Sequence, residues 1–174
     1  MSHFVTGRPD ASEHAPYYGK YIQLVPENDI IQAMTDQTEQ TLGYLRSLPG
    51  SVGDERYAPD KWSVKEVIGH VTDAERVFAQ RALFFARCAP GALPSMEQVD
   101  WMKAASFGTQ KLGDLISEFE FVRRSNISFF KQLSQDTWKR RGIASDCEFS
   151  VRSIAFIIVG HERHHLEILK TRYV

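Results

Sequence analysis

The sequence predicts an all-α protein, a four-helix bundle with a long connection between its second and third helices. Three observations carry this. Four stretches of roughly 20 residues repeat apolar side chains at three- and four-residue spacing. Ser63 and Ser150, each just ahead of such a stretch, read as helix N-caps. Alternating apolar and polar runs of the kind a strand needs are almost absent, so the helices have one another to pack against.

Residues 1–25 read as an irregular lead-in, punctuated by Gly7, Pro9, Pro16 and Gly19, with Tyr17, Tyr18 and Tyr21 available to pack it against the rest. Residues 26–174 are expected to form one bundle domain. Pro26-Glu27-Asn28-Asp29 opens the first helix, with proline suited to the first turn and the acids to the helix dipole. Its stripe (Ile30, Ile31, Met34, Thr38, Thr41, Leu42, Leu45, Leu48) stops at Pro49-Gly50, and a turn-rich loop follows to Asp60. Ser63-Val64-Lys65-Glu66 is a capping box, so the second helix starts at Ser63 and runs to about Cys88 before Pro90-Gly91. Val67, His70, Ala74, Val77, Phe84 and Phe85 share one of its faces. Residues 89–110 hold no sustained period and either wall a site or pack inertly. The third helix runs from Thr109 or Gln110 to Ser134 on a stripe that includes Leu112, Leu115, Phe119, Ile127 and Phe130. Trp138 to Phe149 reads as a loop whose Lys139-Arg140-Arg141 triplet is solvated surface. Ser150 then caps a fourth helix that ends near Arg172.

Composition narrows the class of function. With 21 basic and 22 acidic side chains and a net charge of −1, no basic block calls for nucleic acid or an anionic membrane surface. Cys88 and Cys147 are too few and too far apart for a disulfide framework or a cysteine zinc site. The N-terminal residues lack the apolar run of a signal peptide. The longest apolar run, Ile154 to Val159, is far short of the ~20 residues that span a bilayer. A cytoplasmic protein with a small-molecule substrate, and with neither nucleic acid nor membrane as partner, is the expectation.

The fourth helix carries the chemistry. Its apolar run leads straight into Gly160-His161-Glu162-Arg163-His164-His165. On a helix, His161 and His165 lie one turn and about 40° apart, and Ile154, Ile157, Ile158 and Ile168 share their sector. A single histidine on an apolar face is usually a core residue with one satisfied hydrogen bond. Two at i and i+4 are a common way for one helix to offer two nitrogen ligands to a metal. His70 sits mid-stripe on the second helix. If both helix N-termini lie at one end, His70 and His161 stand at depths of ~10 and ~16 Å, close enough for side chains to meet. Three imidazoles with open positions would make a reactive metal site rather than a closed structural one, and zinc, nickel or ferrous iron all suit nitrogen ligands. His164, Glu66 and Asp73 are the candidate proton-handling or orienting groups, although Glu66 is also accounted for by the capping box.

Two sharper motifs are weaker here. His161-Glu162-Arg163-His164-His165 matches the zincin signature H-E-x-x-H, but few residues follow to supply a third ligand, and no strand pattern exists to bind a peptide. Glu162 to His165 is also a Glu-x-x-His motif, yet a di-iron bundle needs it twice, and this chain has one copy.

Lys61-Trp62-Ser63-Val64-Lys65-Glu66-Val67-Ile68-Gly69-His70 with Asp73 and Glu75, then Trp138 to Gly142, then Gly160 to His165 with Ile168 and Leu169, together resemble the DinB / YfiT-like family of metal-binding four-helix bundles. The resemblance runs in register from about Ile22 onward. It implies a metal-binding histidine triad at His70, His161 and His165, in agreement with the helical faces. It also implies chemistry with a low-molecular-weight thiol as cofactor, as in bacillithiol transferases and mycothiol-dependent maleylpyruvate isomerase, and it admits a homodimer. The functional expectation is therefore a divalent-metal-dependent enzyme of the thiol S-transferase or hydrolase type. The alternatives are a metal-binding, stress-associated bundle without turnover, and a bundle that binds no metal.

Overall fold

A computed structural model of the chain describes residues 6–173. The first five residues of the expected lead-in lie outside the described residues. From Ala11 to Ile22 the lead-in is more ordered than its punctuation suggests. Two 3-10 turns, Ala11–Glu13 and Pro16–Tyr18, feed a single helical turn α1 (Gly19–Ile22). Glu13 fastens it: the buried carboxylate accepts from Ser150 Oγ at 2.7 Å and pairs with Arg152.

Four long helices form the bundle among the described residues: α2 (Ile30–Ser47), α3 (Val64–Ala86), α5 (Leu112–Lys131) and α7 (Val151–Arg172). Helix α2 starts later than Pro26 because Asp29 supplies the cap, its Oδ1 accepting from Ile31 N and Gln32 N at 3.1 Å each. Glu27 stays outside the helix and pairs with Arg163 at 2.7 Å. The α3 capping box forms as expected, with Glu66 N donating to Ser63 Oγ at 3.2 Å and Ser63 N to Glu66 Oε2 at 2.6 Å. Ser150 caps α7 by accepting from Ser153 N at 2.9 Å.

Cross-helix contacts give the direction of each helix. Tyr173 Oη, at the end of α7, bonds Trp62 O at the start of α3, so these two helices are antiparallel. Gln37 Nε2 bonds Val159 O at 3.2 Å, while Leu45 lies with Leu166 and Leu169, so α2 runs parallel to α7. Glu39 pairs with Arg124 and Arg46 with Glu120, so α5 opposes α2. Helices α3 and α5 therefore run the same way, and the segment between them must return the length of the bundle. That segment carries a short helix α4 (Gln98–Ala104) and a 3-10 turn, Phe107–Thr109. It arrives back at the start of α3, where Lys65 Nζ donates to Gly108 O at 3.3 Å.

The expected loop from Trp138 to Phe149 is instead the end of a short helix α6 (Gln135–Trp138) followed by a hairpin of β1 (Arg141–Ala144) and β2 (Cys147–Ser150). Arg141 stands opposite Ser150, and Ala144 opposite Cys147. Ser145 and Asp146 turn the hairpin at φ 51° and 58°, the positive values that a two-residue hairpin turn requires. Strands of four residues are too short to show a period, and Ser-Asp is a weak turn signal beside Asn-Gly. The basic triplet is exposed, as expected.

The buried side chains fall into two apolar clusters. One surrounds the first half of α7 (Ile154, Phe156 and Ile157 with Phe85, Phe130 and Trp138). The other lies at the opposite end (Leu42, Leu45, Val67, Ile68, Leu115, Phe119, Leu169). Each such side chain contributes roughly 1.5–3 kcal/mol on burial. Along α7, His161 and Glu162 fall between the residues that belong to the two clusters. Among the described residues no helix is long and apolar enough to cross a membrane.

Candidate metal centre

The structure brings His70, His161 and His165 together: one nitrogen of each lies within 4.8 Å of the other two. His70 Nε2 is 3.2 Å from His161 Nε2. The antiparallel pairing of α3 and α7 reverses the orientation assumed from the sequence, and it still matches the depths. His161 is midway along α7, so its depth is ~16 Å from either end. His165 then lies ~10 Å from the α7 C-terminus, level with His70.

Two glycines let the helices close around the site. Each directly precedes a histidine of the triad. A Cβ at Gly160 would stand 2.0 Å from Tyr21 O, so α1 crosses α7 only where no side chain exists. A Cβ at Gly69 would stand 2.5 Å from the Phe107 ring. Aromatic rings then fix the imidazole planes. Trp62 lies 4.7 Å from the His70 ring and stacks at 6.4 Å on His165. Tyr21 meets His161 edge-on at 5.3 Å, and Phe78 does so at 6.1 Å.

Burial keeps these imidazoles neutral. It pushes the pKa of His70 down to about 4 and, together with His70, that of His165 to about 3. His161 is lowered well below the usual histidine value by burial and by its two neighbours. Neutral nitrogens are the form that ligates. Two buried Nε2 atoms facing each other at 3.2 Å repel unless a proton or a cation lies between them. An added proton is costly at that depth, and one N–H···N bond would leave the third imidazole out. Tetrahedral ligands on ~2.1 Å bonds stand about 3.4 Å apart, near the observed separation. The donor set fits a nitrogen-liking divalent cation, so the triad could hold a metal ion.

The other sequence candidates stand apart from this cluster. Glu66 spends its carboxylate on the Ser63 cap and on Arg56 at 2.7 Å. Asp73 pairs with Arg76 at 3.3 Å, its pKa raised by burial against the pull of that arginine. His70 Nδ1 is buried without a hydrogen-bond partner among the described residues, so neither acid orients that ring. His164 is half-buried, its ring 5.1 Å from His165 and 5.6 Å from Tyr21, and its pKa is lowered by burial. Glu162, which the zincin motif would make a base, accepts instead from Gln37 Nε2 at 2.6 Å and Thr41 Oγ1 at 2.5 Å and pairs with Arg123.

Sequence reasoning missed two features. Trp62 and Tyr21 wall the triad, and only their nearness to Ser63 and to the lead-in hinted at them. Arg123, fully buried on α5, joins Glu75 of α3 to Glu162 of α7, and a lone arginine inside an apolar stripe was the only available signal. The 89–110 connection does wall a cavity. About 350 Å³ opens beside His70 and His161, bounded by Tyr18 and Phe78 and by Ser95 to Asp100.

No curated protein matches the sequence. Among solved structures, YfiT from Bacillus subtilis, described as a probable metal-dependent hydrolase with an unusual four-helix bundle topology, superposes with a TM-score of 0.64 at 15% identity. That match covers 94% of this chain and 91% of YfiT. A variant of the mycothiol-dependent maleylpyruvate isomerase superposes at 0.66 and 13% identity, over 83% of this chain but only 61% of the isomerase. At such identities the likeness is one of fold. The sequence model of the DinB superfamily matches residues 33–169, a span that includes all three histidines. The chain belongs to the DinB superfamily.

Proposed function

We propose that this chain is a divalent-metal-dependent enzyme of the thiol S-transferase or hydrolase type. His70, His161 and His165 are its metal ligands, and a small-molecule substrate occupies the adjoining cavity. The observation that carries this reading is the convergence of three neutral imidazoles within 4.8 Å, His70 and His161 buried and His165 half-buried, beside a cavity of about 350 Å³. When bound, a divalent cation such as zinc, nickel or ferrous iron supplies Lewis acidity that lowers the pKa of a thiol or a water.

The chain's own residues do the rest. His70, His161 and His165 would hold the ion with three nitrogens and would leave room beside it for substrate. Trp62, Tyr21 and Phe78 hold the imidazoles in place. Tyr18, Val77, Phe78 and Met96 give the cavity an apolar wall that limits bulk water and strengthens charge interactions inside. Thiol and water are both retained because the two solved neighbours are described as a mycothiol-dependent isomerase and a probable metal-dependent hydrolase.

The test is metal content by mass spectrometry on untagged protein beside a His161→Ala variant, followed by thiol-transfer and hydrolysis assays. About one divalent ion per chain, lost in the variant, is expected for a three-histidine site. Absence of bound metal after incubation with zinc, nickel and ferrous iron would overturn the reading. A metal-loaded protein inert toward thiols, electrophiles and esters would leave a binding site without turnover.

A further inference from the structure

Arg81 stands on the wall of the same cavity, about three turns (~16 Å) beyond His70 along α3. It is 3% exposed. Its Nη2 donates to Pro94 O at 2.9 Å and to Ser145 Oγ at 3.0 Å. Both acceptors are neutral. The remaining N–H groups, on Nε and Nη1, have no hydrogen-bond acceptor among the described residues, and no carboxylate there pairs with Arg81. Arg123, the other buried arginine among the described residues, has two carboxylates to itself. A guanidinium taken out of water without a counter-charge is costly, and burial beside a cavity gives that charge a use. Phe78 lies under the guanidinium at 5.7 Å, and Tyr18 lines the same wall. Glu97 and Asp100 also line the cavity, but both are exposed, and Asp100 pairs with Lys103 at 3.6 Å.

We propose that the cavity takes a small organic carboxylate whose acid group sits on the Arg81 guanidinium, its body against Tyr18 and Phe78 and its other end toward the histidines. The proposal rests on reading the cavity as the substrate site of the metal centre. It makes Arg81 a residue that selects substrate by charge, while the triad acts on the far end. A planar cation with free N–H groups recognises a carboxylate by charge-assisted hydrogen bonds, and the aromatic wall favours a flat, apolar body.

The test uses trans-cinnamate and its neutral isostere cinnamamide, titrated calorimetrically into untagged protein, with metal content read in parallel. Wild type is expected to bind cinnamate about tenfold or more tightly than cinnamamide. Arg81→Gln is expected to erase that preference without changing metal content, and Arg81→Lys to keep part of it. A second reading needs no loss of charge. The Arg81 Nε–H signal, assigned by its disappearance in Arg81→Lys, should shift with cinnamate and stay put with cinnamamide. Equal affinities for acid and amide, no binding of either, a preference that survives Arg81→Gln, or an unmoved Arg81 signal would each overturn the anchor. The two readings fail separately. Cinnamate preference in a protein that takes up no metal keeps the anchor and removes the metal, and a metal-loaded protein without the preference does the reverse.

Discussion

Replacing Arg123 by methionine is expected to lower folding stability by about 3–5 kcal/mol, the usual cost of removing one partner from a buried ion pair. Methionine follows the path of the arginine stem, so the loss is electrostatic rather than a cavity effect. Arg123 Nε and Nη2 donate to the two oxygens of Glu75 at 2.8 Å each. Its Nη1 lies 2.6 Å from Glu162 Oε2 at an angle short of a hydrogen bond. Both carboxylates are 3% exposed or less. Without the arginine, Glu75 keeps Asn126 Nδ2 at 3.0 Å, and Glu162 keeps Gln37 and Thr41. Burial already pushes the Glu162 pKa up against the pull of Arg123. In the variant that carboxyl can take up a proton, which holds the cost far below that of an isolated buried charge. At roughly 2–4 °C per kcal/mol for a chain of this size, the melting temperature should fall by about 6–20 °C. Urea unfolding at pH 7, followed by far-UV circular dichroism, measures the difference. Replacing all three residues by methionine should return stability to within about 1 kcal/mol of wild type or above it. A loss below about 1 kcal/mol in the single variant, the size expected of an exposed pair, would refute this account of the interior.

Gly160→Ala should destabilise the fold by about 1–3 kcal/mol, because the new Cβ meets the Tyr21 backbone at 2.0 Å and backbone cannot rotate aside. Thermal melts check this, and an unchanged melting temperature would mean that α1 does not cross α7 there. Stability of the metal-stripped protein should depend on pH in the window set by its histidines. His70 titrates near 6.5 when unfolded and at about 4 when folded, so below 6.5 the unfolded state binds the extra proton. Stability is full above about 6.5 and is lost as pH falls toward 4, by about 3 kcal/mol from this residue alone. Melts from pH 7.5 to 4 should show the decline, flattened in His70→Gln, and a profile the same in both proteins would show that His70 is not buried neutral.

Helical spacing and cap chemistry were enough to find α2, α3, α5 and α7 and the N-caps Ser63 and Ser150, because these signals are local. Periodicity on single helices also picked out His70, His161 and His165, since an imidazole in an apolar stripe is visible without knowing what it faces. Local information ended at relations between segments. Four-residue strands have no period to read, so the hairpin after Trp138 looked like loop. The direction of α3 against α7 depends on how the 89–110 connection travels, and its own residues do not encode that path. Glu75, Arg123 and Glu162 lie far apart in the chain, and Arg81 reads in sequence as one more helical cation. Burial and the identity of a neighbour across the bundle are properties of packed surfaces. The sequence alone determined which histidines stand in apolar helical stripes. The tertiary structure decided which of them meet, which charge is balanced inside the protein and which is left facing a cavity.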